Sequence, residues 1–315
     1  MTTPAVVHES APAIIRDLTQ TIRPAGGTLV AAGLCAAAGQ FCPAGTSQAV
    51  CDSVLVVHTG STPYAADVQS RLRGTGAFAT ADLFNAGSAS NGGSGTPSAG
   101  LLAGYHAVLV YTDFFGFADA ALLGDRLAAY HDQGGGVVVA VFANTACCGT
   151  SLQGAYGAAG GGYALLDYAE GGRTNPGADS LGDVLEPQSP LMAGVASLTA
   201  QASDRSTAPV IAGRGAAVVA RWGGGGREPL VVRGTRGNRT LVELNLWPVS
   251  SSAASNWWTG DGAALLRNAL KYSRCMACGP ETFAAAGAGG GGEGRGRRER
   301  DRERKRRGRG RGKSE

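Results

Sequence analysis

The chain has 315 residues, of which 43% are hydrophobic, 17% are charged and 51 are glycine. Its length suits one large domain or two small ones, and it contains no run of about 18 apolar residues, so no membrane span is predicted. The net charge is +4, but Glu293–Glu315 holds 12 Lys or Arg against 5 Asp or Glu, which leaves −3 for residues 1–292. Residues 1–292 are therefore not a strongly basic, nucleic-acid-binding domain.

The first 34 residues contain one possible helix. In Ala11–Ile22 the apolar side chains share one helical face, and Pro24 follows as a stop signal. Ala25–Ala38 is apolar, but it lacks the basic start and the cleavage site of a signal peptide. Residues 35–51 then form a short cysteine-bearing segment without periodicity.

Three apolar runs follow, at Ser53–His58, Tyr105–Tyr111 and Gly136–Phe142. They consist mainly of Val and Leu without polar alternation, which is typical of parallel strands covered on both faces. Ala79–Phe84 is a weaker strand candidate. The pattern predicts an α/β fold, namely a flavodoxin-like, doubly wound and mostly parallel sheet.

Helical segments separate these strands. Tyr64–Leu72 places its apolar residues on one face and stops at Gly74. Asp119 is a suitable N-cap for the next helix, and Gly87–Gly100 is predicted to be a flexible Gly/Ser loop.

Regularity is weaker after residue 143, where residues 143–180 are a Gly-rich loop with order expected only at Tyr163–Tyr168. The later runs Ala216–Trp222, Leu230–Arg233 and Thr240–Leu246 are separated by turn residues, which predicts an antiparallel extension of the sheet. A closing helix is expected at Asp261–Tyr272. The Arg-rich tail, residues 289–315, is predicted to be disordered because it cannot bury enough apolar surface.

The middle of the chain resembles class I glutamine amidotransferase-like domains. The resemblance lies in Gly104–Asp113, in Phe117–Asp119, in Leu127–Ala140 and in Leu185–Val195. It is closer to the trehalose-utilisation branch than to true amidotransferases, and it implies one α/β domain at residues 52–274.

The chemistry of that family does not carry over. Its enzymes place a nucleophilic Cys in a Gly-x-Cys-x-Gly elbow after the strand that matches 136–142, and a His and a Glu after a late strand. Here the first strand continues as Phe142-Ala-Asn-Thr-Ala-Cys-Cys-Gly, and the late strand as Asn245-Leu-Trp-Pro. A thiolate nucleophile needs a nearby base or positive field. We therefore assign no catalytic residue and predict no cofactor and no metal site.

The seven cysteines fall into three groups: Cys35, Cys42 and Cys51; Cys147 and Cys148; Cys275 and Cys278. Their position in loop-like sequence favours disulfides in an oxidising compartment, and the alternative is reduced thiols in a cytosolic protein. Cys147 and Cys148 could form a vicinal disulfide, two separate bridges or free thiols, and we favour oxidation. Asn238-Arg-Thr is a glycosylation acceptor pattern at a predicted hairpin turn.

A second resemblance lies in the flanks of the domain. Phe41-Cys-Pro-Ala-Gly-Thr-Ser and Cys275-Met-Ala-Cys-Gly-Pro-Glu-Thr-Phe resemble pieces of ephrin-receptor-like Cys-rich repeats, with Glu281 where the repeat usually has Gly. The resemblance implies repeat fragments at residues 35–51 and 275–288. It also implies that the chain belongs to a larger secreted or cell-surface protein.

Polar and aromatic residues that follow the strands are the candidate ligand contacts, because open α/β sheets bind ligands beyond the carboxyl ends of their strands. The turn after the first strand offers backbone N–H groups and hydroxyls that suit phosphate. The later loops offer a carboxylate, amides and an indole that suit a sugar. For each residue the alternative is an ordinary turn, a cap or core packing. The candidates are Thr59, Ser61, Asp113, Asn144, Asn245 and Trp247.

Three functions are compatible with these features. The favoured one is a non-catalytic binding or interaction domain of a larger extracellular or cell-surface Cys-rich protein, with a carbohydrate or protein ligand and an otherwise unknown partner. The second is a carbohydrate-active enzyme that uses Thr59, Asp113 and Asn144. The third is an intracellular RNA-associated protein, in which Arg295–Lys313 supplies the only expected contact with nucleic acid.

Overall fold

The computed structural model describes residues 51–274. The possible helix at 11–22, the Arg-rich tail and every cysteine of the two repeat fragments except Cys51 lie outside this range. Within it, no helix is long and apolar enough to cross a membrane.

Five parallel strands form the first half of one ten-stranded sheet. Their order is β2-β1-β3-β4-β11, which is the flavodoxin-like order once β11 is counted as the fifth parallel strand. Their bounds are β1 Ser53–His58, β2 Thr80–Asn85, β3 Ala107–Val110, β4 Gly136–Ala140 and β11 Arg239–Leu244. All four residues of β3 and all five of β4 are buried, as the unbroken Val and Leu runs require.

Helices cover both faces of this parallel half. The helices α1 (Thr62–Gly74) and α5 (Gly262–Ser273) pack on one face, where Val54 and Val56 meet Leu72 and Leu266. The other face, with Leu55 and Val57, is covered by α2 (Ala99–Ala103), α3 (Ala120–Asp132) and α4 (Gly154–Gly157). Successive side chains of β1 therefore enter two separate cores, as the alternation of a strand dictates.

The second half of the sheet is antiparallel and continues outward from β11. Its order is β10-β9-β6-β7-β12, with β12 at the free edge. The bounds are β6 Asp179–Val184, β7 Leu198–Ala200, β9 Ala217–Trp222, β10 Pro229–Arg236 and β12 Trp258–Gly260. Two further strands, β5 (Arg173–Thr174) and β8 (Arg205–Ser206), form a separate two-stranded ribbon.

The predicted fold class is confirmed: the sheet is mostly parallel in its first half and carries a late antiparallel extension. Asp119 caps α3 as expected, since its Oδ1 accepts the backbone N–H of Leu122 at 2.8 Å. The loop predicted at Gly87–Gly100 differs at its end, because Ser98 caps the short helix α2. Residues 143–180 contain α4, β5 and the start of β6, elements too short to give a periodic signal.

Candidate functional site

A cavity of about 110 Å³ opens beyond the carboxyl ends of β3, β4 and β11. Asp113 and Phe114 reach it from the loop after β3, Phe142 from the loop after β4, and Trp247 from the loop after β11. On the same measure a single water needs about 10–15 Å³, so the cavity holds several waters or part of a small ring. It lies where the sequence predicted the rim of the sheet to bind ligands.

Aromatic rings form most of the cavity wall. Trp247 is fixed by its Nε1, which donates to the carbonyl of Thr112 at 3.2 Å, and its ring meets Trp257 edge-on with centroids 4.2 Å apart. Phe142 lies behind Trp247 at 6.5 Å between centroids. Phe114 stands at the mouth with 82% of its surface exposed. The Nε1 of Trp257 is buried and has no hydrogen-bond partner among the described residues.

Asp113 is the carboxylate that the sequence placed at this rim. Its pKa is raised, mainly because burial disfavours the charged form, while the backbone N–H groups of Phe114 and Ser61 act in the opposite direction. The position depends on Gly60, whose φ is +86°, because a Cβ there would lie 2.7 Å from the Cβ of Asp113. The carboxyl group is therefore held against the turn that follows β1.

An ion pair that the sequence analysis missed closes another side of the cavity. Arg173 of β5 binds Asp204, just before β8, at 2.6 Å, and only 3% of the Asp204 side chain is exposed. The guanidinium also lies 5.4 Å from the ring centroid of Phe142. The two residues are brought together by the β5–β8 ribbon. No periodic pattern surrounds either strand, so no local signal could have revealed the pair.

Cys147 and Cys148 are bonded to each other and line the cavity. This is the vicinal arrangement among the three that the sequence left open. Cys148 has a φ of +63°, in the left-handed region that non-glycine residues rarely adopt. The loop that carries the pair is closed at its base, where the N–H of Leu152 donates to the carbonyl of Ala143 at 2.8 Å.

Of the six predicted ligand contacts, the structure brings Asp113 and Trp247 together in the cavity wall. Thr59 is 1% exposed and lies behind the wall. Its hydroxyl donates to the carbonyl of Phe115 and accepts the N–H of Asp113. Ser61 precedes α1 as its N-cap residue, and its side chain makes no capping hydrogen bond and does not line the cavity.

The two predicted amide contacts serve the backbone. Asn144 is fully buried, and its Nδ2 donates to the carbonyl of Leu244 at 3.2 Å. Asn245 accepts from the N–H of Ser206 at 2.7 Å and donates to the carbonyl of the same residue at 2.8 Å. These side chains hold the walls of the site in place and do not reach its interior.

Cys51 was predicted to form a disulfide, and it has no such partner among residues 51–274. Cys51 is a free, buried thiol whose Sγ lies 3.9 Å from the carbonyl of Leu270, at the end of α5. Burial raises its pKa to about 12. Its apolar surroundings explain the difference, since residue 51 belongs to the core of the α/β domain and not to a loop.

Asn238 lies exposed at the turn between β10 and β11, as predicted. Glycosylation there stays a prediction. The third residue of the pattern, Thr240, is buried and donates its hydroxyl to the carbonyl of Tyr272.

No histidine of the described chain lines the cavity. His58 is buried at the end of β1 against Tyr111, and His131 is buried in α3 between Tyr156 and Tyr163. His106 lies at the opposite end of the sheet, where its Nδ1 is 2.8 Å from Asp52. The cavity therefore contains carboxylates, a guanidinium and a disulfide, but no imidazole from residues 51–274.

A further buried carboxyl group lies inside β11. Oε1 of Glu243 accepts the N–H of Leu165 at 2.6 Å and the hydroxyl of Tyr168 at 2.8 Å. Burial raises the pKa of Glu243 to about 7. Through these hydrogen bonds Glu243 holds residues 163–168, the segment predicted to be ordered. Its side chain does not line the cavity.

No protein-family model and no curated protein sequence matches this chain. Among solved structures, a ThuA-like protein from Parabacteroides merdae ATCC 43184 is similar, with 13% sequence identity and a TM-score of 0.44. The similarity covers 71% of this chain and 90% of that one. It says nothing about the chemistry of the cavity.

Proposed function

We propose that residues 52–274 form a non-catalytic, ligand-binding domain of the amidotransferase-like type, within a larger secreted or cell-surface Cys-rich protein. The observation that carries this proposal is the state of the two cysteines after β4, which are bonded to each other in the cavity wall. A disulfide sulfur is not a nucleophile, and thiol catalysis needs a thiolate with a base beside it. The cavity at the carboxyl ends of the strands is then a binding site without a thiol nucleophile.

The walls of the cavity favour a sugar ring as that ligand. Trp247, Trp257 and Phe114 offer aromatic surface for the apolar face of a ring. Asp113, Asp204 and Arg173 stand beside them and supply acceptors and donors for hydroxyl groups. Binding sites of this kind combine a mainly apolar wall with a few placed polar groups.

The test is a titration of the full chain with a panel of neutral mono- and disaccharides, in which binding is measured by calorimetry and by tryptophan emission. Phe114→Ala should weaken binding about three- to tenfold, since an aromatic contact contributes about 0.5–1.5 kcal/mol. Phe115→Ala is the matched control, because Phe115 lies on the same loop, is 46% exposed and does not line the cavity. Equal affinities of the two variants, or no binding by any sugar, would contradict the proposed ligand.

A carbohydrate-active enzyme is the second candidate, and one observation favours it. Two carboxyl groups with different environments share the cavity, Asp113 with a raised pKa and Asp204 paired with Arg173. Glycosidases use such a pair as acid and base or nucleophile. Hydrolysis of nitrophenyl glycosides that is abolished by Asp113→Asn would support the enzyme, and identical rates for the wild type and this variant would remove it.

The extracellular setting rests on the oxidised Cys147–Cys148 pair and on the exposed Asn238. Counting thiols in the denatured chain, purified without reductant, tests it directly. Fewer than seven reactive thiols supports the secreted setting. Seven reactive thiols would favour the intracellular alternative, in which the basic tail contacts RNA.

A further inference from the structure

We propose that Cys147–Cys148 is a thiol–disulfide exchange site for small aliphatic dithiols, which reach it through the cavity. This site is separate from sugar binding, because it depends only on the two sulfur atoms and on access to them. Both cysteines line the cavity wall, and Cys148 is exposed whereas Cys147 is half-buried. An incoming thiolate therefore meets Cys148 first.

The backbone at the pair favours opening of the bond. Cys148 has a φ of +63° and Gly149 a φ of +68°. Glycine tolerates the left-handed conformation at residue 149. The same conformation strains Cys148, whose side chain is bonded to Cys147. Once the bond opens, Cys148 is free to leave this region.

The change stays confined to one loop. The carbonyl of Ala143 accepts the N–H of Leu152 at 2.8 Å, and the carbonyl of Cys147 accepts the hydroxyl of Thr150 at 3.0 Å. The first bond closes the loop at its base and the second lies within the loop, and neither involves a sulfur atom. Reduction is therefore expected without unfolding of the domain.

The loop also touches the segment that carries Phe114. A Cβ on Gly116 would lie 2.5 Å from the carbonyl oxygen of Gly149, so the two backbones are in direct contact. A shift of Cys148 and Gly149 displaces the neighbouring segment at the mouth of the cavity. The redox state of the pair thereby sets the shape of the cavity.

A thiolate of the dithiol attacks Sγ of Cys148, the bond between the two cysteines breaks, and Cys147 leaves as a thiolate. The second thiol of the same reagent, after losing its proton, then attacks its own mixed-disulfide sulfur, releases Cys148 as a thiolate and closes a cyclic disulfide. Two electrons pass from the dithiol to the protein, and the two protons lost by the dithiol end on Cys147 and Cys148.

To test this proposal, the folded full chain is treated with dithiothreitol and the reaction is quenched with iodoacetamide. The labelled cysteines are then identified by peptide mass spectrometry. Cys147 and Cys148 should be labelled together while Cys51, buried and with its pKa raised to about 12, stays unlabelled as an internal control. Tryptophan emission should rise on reduction, because disulfides quench nearby indoles and Trp247 and Trp257 share the cavity. The double variant C147S/C148S should show no such rise.

A matched pair of single variants tests the difference in access on which attack at Cys148 depends. In Cys147→Ser the remaining Cys148 should react with iodoacetamide about tenfold faster than Cys147 does in Cys148→Ser, since reactivity follows exposure and thiolate fraction. Equal rates would show that both sulfurs are equally accessible and would overturn the preference for attack at Cys148. A pair that stays oxidised until urea unfolds the chain would overturn the exchange site. Failure of every sugar to bind would leave it intact.

Discussion

Glu243 shows how a single buried side chain gives this domain a pH response. Its carboxyl group is 1% exposed, with Oε1 bound to Leu165 and Tyr168 and with Oε2 lacking a partner among the described residues. Burial raises its pKa from 4.5 to about 7. The folded state therefore holds this proton more tightly than the unfolded chain does, so the contribution of Glu243 to stability is fully present below about pH 4.5 and is lost as the pH rises to about 7.

Glu243→Gln should remove this pH dependence. The amide keeps an acceptor for Leu165 and Tyr168 and carries no charge at any pH. Relative to the wild type, the variant should gain up to about 3 kcal/mol in free energy of unfolding between pH 5 and pH 8, since each pKa unit is about 1.4 kcal/mol. Urea titrations at several pH values measure the difference. A constant difference across that range would show that Glu243 does not titrate there.

Gly60→Ala should destabilise the domain by about 2 kcal/mol or more, because the new Cβ meets both a positive φ and Asp113. The matched control is Gly92→Ala. Gly92 has a φ of +71° and open space around its Cβ position. This control variant should therefore lose only about 1 kcal/mol of unfolding free energy, which is the cost of the left-handed conformation for alanine. Equal losses in urea titrations would mean that the contact between Gly60 and Asp113 contributes nothing.

The sequence predicted the rim of the sheet but not what each polar side chain there binds. Asp113 and Trp247 could be identified because they follow strands with clear apolar runs. Thr59, Asn144 and Asn245 have the same type of position, yet their side chains bind backbone groups at Phe115, Leu244 and Ser206. Each of those partners is distant in sequence from the side chain that binds it, so a local pattern carries no information about them.

The β5–β8 ribbon is the element that completes the cavity. It has only two residues in each strand, and it positions Arg173 and Asp204. Asn245 holds it to the sheet by bonding both backbone groups of Ser206. Strands of this length have no detectable pattern, whereas β1, β3 and β4 lie in unbroken apolar runs and α3 has 13 residues with an apolar face. That contrast explains why the parallel half was predictable and the ribbon was not.

Asn245→Asp should loosen this ribbon. The carboxylate still accepts the N–H of Ser206, but it cannot donate to the carbonyl, and a buried acceptor left unpaired costs about 1–3 kcal/mol. Amide hydrogen exchange should increase at residues 204–207 while β3 and β4 remain protected. Asn175→Asp is the control, because Asn175 is exposed and only its Oδ1 is used, by the N–H of Gly177. Similar exchange in both variants would contradict the role of Asn245.

β11 joins the parallel and the antiparallel half into one sheet. It pairs parallel with β4 and antiparallel with β10. Its residues also enter both cores, since Val242 and Leu244 face α5 and Leu241 faces the other side. If β11 separated from either half, apolar side chains of both cores would therefore be exposed.

We expect the two halves to unfold together. Trp222 and Trp258 lie in β9 and β12 of the antiparallel half, and Trp247 and Trp257 lie in the loop between β11 and β12, where Trp247 also contacts Thr112 of the parallel half. Emission therefore reports mainly on the antiparallel half and its boundary, whereas far-UV circular dichroism reports on the whole domain. Their urea transitions should coincide, as in a single cooperative unit. Separate midpoints would show that the halves are independent.

The contact between Cys51 and Leu270 brings the two ends of the described chain close together. It places the segment that leads into β1 beside the last turn of α5, and Gly136 at the start of β4 touches Ser273 there as well. Entry and exit are thus neighbours at the amino ends of the parallel strands, the arrangement that makes a domain easy to insert into another chain. The cavity that Phe114 borders lies at the opposite end of the domain, beyond the carboxyl ends of β3, β4 and β11, so the two ends of residues 51–274 leave its mouth free.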